Sequence, residues 1–268
     1  MKRIILVSLL LIFQISYGQT ADEFIIRGNR LKDNLKDYKG AIADFTKAIN
    51  INPNYSGAYY NRGDAKFNLK DYKGAIADFT KAIKINPNYT EAYSNRGIAK
   101  HSIKDYNGAI SDFNKAIKIT PNYAVAFNNR GFTKRKLSNI KGSIADFTKA
   151  LNINPNFTLA YNNRGISKTN LKDNKAAIAD FTKAININPN YTEAYSNRGM
   201  AKFNLKDNKG AIADFTKAIK INPNFAISYY NRGISKYFIN DINGACQDAR
   251  KSEQLGYDAL KLINAVCN

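Results

Sequence analysis

Apolar positions along this chain fall into two alternating helical patterns with a break after each pair. In residues 56–89, SGAYYNRGDAKFNLKDYKGAIADFTKAIKINPNY, the first half sets Ala58, Tyr59, Arg62, Gly63, Lys66 and Leu69 at helical spacing. Asp71 then stands where it caps a second helix. From Tyr72 to Ile85, Ala75, Ile76, Phe79, Ala82 and Ile83 recur every three or four residues as one apolar stripe. Pro87 follows; it has no amide hydrogen to donate and it restricts Asn86 before it. The pattern predicts helix A, a turn, helix B and a stop.

The whole pattern is copied along the chain. All six prolines, Pro53, Pro87, Pro121, Pro155, Pro189 and Pro223, stand 34 residues apart, the signature of a stack of helix-turn-helix units. The units run over about 22–55, 56–89, 90–123, 124–157, 158–191, 192–225 and 226–257. Gly63 and Ala75, with Gly97, Gly131, Gly165, Gly199 and Gly233, are small where helices A and B approach. Phe45, Phe79, Phe113, Phe147, Phe181 and Phe215 are expected to fill the space between a unit and its successor.

Both ends depart from the pattern. Arg27 and Gly28 stand one place early in the first unit, the drift expected of a unit that packs on one side only. The last unit has Ala249 for the aromatic and Tyr257 for the proline. From Asp258 a final amphipathic helix, 258–268, places Ala259, Leu262, Ile263 and Val266 on one face as a cap. A hairpin turning at Gly256 brings Cys246 and Cys267 side by side and predicts a disulfide; two buried free thiols are the alternative.

These residues resemble the tetratricopeptide repeat family over about nine-tenths of the chain that follows residue 18, at its 34-residue period. With the proline counted as position thirty-two, the family asks for an aromatic at four, glycine at eight, alanine at twenty and twenty-seven and an aromatic at twenty-four. Tyr59, Gly63, Ala75, Ala82 and Phe79 meet it in the second unit. The resemblance implies an all-α, right-handed superhelical solenoid that acts as a non-catalytic interaction scaffold, with a protein or peptide partner in a concave groove lined by the A helices.

In the same family the position of Asn61, Asn95, Asn129, Asn163, Asn197 and Asn231 faces that groove, and in some members it forms a ladder that grips peptide backbone. An amide can both donate and accept, so it suits that task; simple solvation is the other reading. The groove positions that vary between units include Tyr60, Phe67, Ile98, Phe132, Ile166, Met200, Phe203 and Tyr237. A copied scaffold with an edited lining is how a solenoid acquires specificity. The fifth-position lysines of family members that clamp acidic tails are missing here, so that kind of receptor is not expected.

Arginine precedes each of the later glycines, where the family often has leucine, and an aspartate recurs in helix B at Asp78, Asp112, Asp146, Asp180, Asp214 and Asp248. A half-buried arginine needs such a partner, so an internal Arg–Asp pair in every unit is expected; the rival reading is a track for phosphate or acidic peptide.

Charge and the N-terminus add a second line of reasoning. MKRIILVSLLLIFQISYGQT has Lys2 and Arg3, then an apolar run from Ile4 to Phe13, then small residues before Gln19. Residues 1–18 read as a signal peptide, with an uncleaved anchor as the alternative. The protein is therefore expected to be exported: periplasmic, cell-envelope-associated or secreted. No later stretch is apolar enough to span a membrane. The net charge is +20, or +18 once Lys2 and Arg3 leave with the leader. That bias makes an anionic polymer or membrane surface the alternative partner, while export argues against nucleic acid. His101 is the only histidine, so no histidine-based metal site or catalytic dyad can be assembled, and neither cofactor nor metal is expected.

Overall fold

The computed structural model describes residues 20–267, so the expected leader, residues 1–18, lies outside the described residues. Among the described residues there are fifteen helices and no strand, and no helix is long and apolar enough to cross a membrane. They form two compact bodies that divide after Asp105. The N-terminal body holds α1 (Ala21–Asp33), α2 (Tyr38–Ile51), α3 (Ser56–Asn68), α4 (Tyr72–Ile85) and α5 (Thr90–Ser102). The C-terminal body holds α6 (Tyr106–Ile119), α7 (Ala124–Lys136), α8 (Ile140–Ile153), α9 (Thr158–Asn170) and α10 (Asn174–Ile187). It continues with α11 (Thr192–Asn204), α12 (Asn208–Ile221), α13 (Ala226–Tyr237), α14 (Ile242–Gln254) and α15 (Leu260–Val266). Within each body a helix packs on the one before and the one after it, so the architecture is a helix-turn-helix repeat.

Local chemistry sets each boundary. Helix B begins at a carboxylate or amide cap: Asp71 accepts the Gly74 amide at 2.9 Å, and Asp37, Asn139, Asp207 and Asp241 do the same in their units. Ala176 replaces the glycine in one unit, and its bond to Asp173 lengthens to 3.2 Å. Helix B ends where Asn86 turns extended before Pro87, and the Asn86 side chain accepts the Asn88 amide at 3.1 Å.

Helix A ends in a Schellman motif. The Lys70 amide donates to the Phe67 carbonyl at 2.8 Å and the Asp71 amide to the Lys66 carbonyl at 2.9 Å. The motif needs a left-handed residue, and this chain supplies Lys36, Lys70, Lys104, Ser138, Lys172, Lys206 and Asn240, with φ between 55° and 66°. Five of these seven are lysine, which has neither the freedom of glycine nor the local bonding of asparagine.

Six phenylalanines are fully buried: Phe45, Phe79, Phe113, Phe147, Phe181 and Phe215. Each ring whose surroundings are described lies on the glycine of its own hairpin; a Cβ on Gly63 would stand 2.9 Å from Phe79 Cε1. Beyond the glycine, Phe79 clusters with Ala75 and with Ala99 of the next unit, so the ring seals both the hairpin and its junction with the successor.

The two departures at the ends are each compensated. Four residues, 34–37, join α1 to α2 where three, 69–71, join α3 to α4. The extra turn residue returns Gly28 to the face of Phe45, so the first hairpin keeps the common register and does not drift. In the last hairpin Leu262 takes the place of the missing ring, its Cδ2 standing 3.1 Å from where a Cβ on Gly233 would be. The cap helix starts at Leu260, two residues later than the sequence suggests, because the Ala259 amide donates to Glu253 at 2.6 Å and ends the turn there. Cys246 and Cys267 form the expected disulfide, with Cα atoms 5.0 Å apart.

The arginine before each glycine is clasped by the aspartate before each phenylalanine. Arg164 donates to Asp180 through Nε at 2.9 Å and Nη2 at 2.7 Å, while Lys168 Nζ reaches the same carboxylate at 2.7 Å. The third guanidinium nitrogen donates to Thr148 of the preceding hairpin at 3.1 Å, and the Tyr161 ring stacks beneath it. Arg62, Arg130, Arg198 and Arg232 repeat the arrangement, with Asn114 replacing threonine under Arg130. Arg27 pairs with Asp44, which raises its pKa through the side-chain hydrogen bond.

Two substitutions test these accounts by urea unfolding followed by circular dichroism. Asp180→Ala strands two cations against an otherwise buried site and is expected to cost about 3 kcal/mol. Lys70→Gly relieves a left-handed backbone and is expected to stabilise by about 1 kcal/mol, opposite to the usual effect of glycine inside a helix.

Candidate peptide-binding face

The arginine row serves the scaffold: Arg62, Arg130, Arg164, Arg198 and Arg232 each have all three guanidinium nitrogens engaged, two by aspartate and one by the neighbouring hairpin. The asparagines one residue earlier are placed differently from unit to unit. Asn163 donates to Asn128 Oδ1 at 3.1 Å, and Asn128 in turn donates to Asn129 at 3.1 Å. Asn197 donates to Asn162 Oδ1 at 3.0 Å, and Asn95 to the Tyr60 hydroxyl at 3.0 Å. In each of these inter-hairpin bonds the acceptor stands 35 residues earlier, on the preceding helix A. Asn95, Asn163 and Asn197 thus tie A helices to one another, and Asn163 is buried in the process.

One depression that these amides line lies between α9, α11 and α13. Asn162 and Ile166, then Tyr191, Glu193, Ser196, Asn197 and Met200, then Phe225, Ile227 and Asn231 surround a depression of about 340 Å³. Four of the residues expected at the groove, Ile166, Asn197, Met200 and Asn231, meet here. Among the described residues, the Asn231 side-chain amide has no protein hydrogen-bond partner, and Asn197 uses only its nitrogen and Asn162 only its oxygen. The floor therefore offers donors and acceptors beside the apolar surface of Ile166, Met200 and Ile227. Burial, with the Glu193 charge adding to it, raises the pKa of Tyr191, so its phenol stays neutral.

The other expected residues are dispersed. In the N-terminal body, Phe67, Asn95 and Ile98 share a recess of about 70 Å³ with Asp64 and Phe79. Asp64 there pairs with Lys32 at 2.9 Å, and the half-buried Asn61 makes no side-chain hydrogen bond among the described residues. Phe132 stacks against Arg135, whose pKa burial lowers. Phe203 meets Phe238 edge-on at 5.5 Å, and Tyr237 packs on Phe238 as well.

Sequence reading missed Tyr191, Phe225 and the second position of helix A. Position two was legible: it runs Gly57, Glu91, Val125, Leu159, Glu193, Ile227, as variable as any groove position. The aromatics before helix A are nearly invariant and read as turn residues. No group of three or more His, Cys, Asp or Glu side chains able to hold a metal occurs among the described residues.

Comparison with known proteins agrees with the geometry. Tetratricopeptide repeat models match residues 56–89, 90–123, 124–157, 158–191 and 192–225, and a TPR repeat model matches 34–70. No curated protein matches the chain. Among solved structures it is similar to a tetratricopeptide repeat protein from Parabacteroides merdae, 22% identical over 94% of this chain and 100% of that one, with a TM-score of 0.71. It is also similar to YrrB, a TPR protein with an unusual peptide-binding site, at 24% identity over 70% and 96% of the two chains and a TM-score of 0.58. A third likeness is to Pseudomonas aeruginosa pilF, 16% identical over 78% and 96%, with a TM-score of 0.70. At these identities the solved structures speak for the fold, and the repeat models, covering the units whose prolines, glycines and phenylalanines were described above, establish that the chain belongs to the tetratricopeptide repeat family.

Proposed function

We propose that this protein is a non-catalytic scaffold that holds an extended segment of a partner protein in the depression between α9, α11 and α13. The observation that carries the reading is the set of uncommitted amide groups at Asn162, Asn197 and Asn231, set beside Ile166, Met200 and Ile227. A peptide backbone presents alternating donors and acceptors, which such amides satisfy without regard to side chain, while the apolar wall selects for apolar side chains. A solved relative of the fold, YrrB, is itself described as peptide-binding.

We also place the scaffold outside the cytoplasm, in the periplasm, on the envelope or secreted. Residues 1–18 have the form of a signal peptide, and the Cys246–Cys267 bond belongs to an oxidising compartment.

Capture from an envelope extract tests the groove. The wild-type chain is expected to retain a specific protein, and Met200→Ala with Asn231→Ala to weaken that retention about 30-fold, the loss of two hydrogen bonds and one apolar contact. Unchanged retention by a double variant that melts at the wild-type temperature removes the depression from the reading.

A further inference from the structure

The turns between helices A and B make a second surface, built from the last turn of helix A and the start of helix B. In the C-terminal body Leu137, Leu171, Leu205 and Ile239 occupy the same turn position in four successive hairpins, each 41–47% exposed. Phe238, 62% exposed, extends the row. A single exposed leucine calls for no explanation, but the same position kept apolar and exposed in every turn is a continuous feature.

Cations fringe this row. Lys172 and Lys206 follow the leucines in the left-handed position, and Lys141, Lys175 and Lys209 are exposed on the first turns of α8, α10 and α12. The acidic residues of the same turns, Asp173, Asp207 and Asp241, direct a carboxylate oxygen to a helix B amide. Lysine is a costly choice at a left-handed position where glycine or asparagine serves the backbone better, so its recurrence points to a task for the side chain. The N-terminal body shows the same pairing in its own turns: Leu35 with Lys36, Leu69 with Lys70 and Ile103 with Lys104.

We propose that the turn edge of the C-terminal body rests on an anionic lipid surface, with the leucines and Phe238 entering the headgroup boundary and the lysines holding lipid phosphates. Two features select this occupant. A second copy of the chain would set lysine against lysine, and a soluble polyanion would engage the lysines but leave the apolar row without a role. The edge lies at the opposite end of helix A from Tyr191, Glu193, Phe225 and Ile227, so docking leaves the peptide depression accessible; the proposal stands independently of it.

The test is co-sedimentation with phosphatidylcholine vesicles made with and without phosphatidylglycerol. It uses the chain without residues 1–18, which keeps all fifteen described helices and removes an apolar segment that would insert by itself. Binding is expected only with phosphatidylglycerol. Lys172→Gly with Lys206→Gly is expected to weaken it roughly 30-fold at low ionic strength, with a melting temperature equal to or above the wild type. Because glycine suits that backbone, misfolding cannot account for the loss. Leu171→Asn with Leu205→Asn is expected to abolish the binding that survives physiological salt. Failure of the wild type to sediment, or equal binding by both variants, overturns the proposal. So does equal affinity for soluble polyphosphate with no effect of the leucine changes, or a dimer that depends on those leucines.

Discussion

The contact between a phenylalanine ring and a glycine backbone governs this molecule. Where Phe79 lies on Gly63 there is no side chain to hold the two helices apart, so the ring fixes their separation, and its far side meets Ala99 and fixes the step to the next hairpin. The clasp follows from the same contact. Arginine precedes the glycine and aspartate precedes the phenylalanine, so bringing ring to backbone carries guanidinium to carboxylate. The first hairpin demonstrates the priority: an added turn residue is accommodated so that Gly28 and Arg27 still face Phe45 and Asp44.

Much of this was legible because the period repeats one local solution. Proline spacing, cap residues and the apolar stripe each depend on neighbours within a helix or a turn, and the Arg–Asp pair follows from burial and charge. The asparagine row was legible only as a row. Whether an amide is spent or open depends on the residue 35 positions earlier, which is Tyr60, Asn128 or Asn162 where a bond forms and Ser196 before Asn231 where none does. That pairing is set by how one helix A lies against the next, which a reading one unit at a time does not address. The swap of Leu262 for the missing ring was hidden for the same reason: the substitute comes from a different helix.

Scaffold and surface are separable here. Glycine, phenylalanine, arginine and aspartate hold the hairpins and have little freedom to change. The second position of helix A and the turn edge bear on neither contact, so they can be edited without loss of packing. Position two of helix A varies between glycine, glutamate and aliphatic residues, whereas the turn leucine stays apolar throughout. Equal structural freedom with unequal variation marks two surfaces under different demands.

The lid formed by Leu262 and the Cys246–Cys267 bond also bears on how such an array lengthens. A 34-residue period is the trace of unit duplication, and a copy inserted between complete hairpins finds a phenylalanine below it and an alanine above. A copy placed after Gln254 finds the socket on Gly233 already filled and its filler tethered by sulfur. A further unit is therefore accommodated between complete hairpins and not directly after the sealed one.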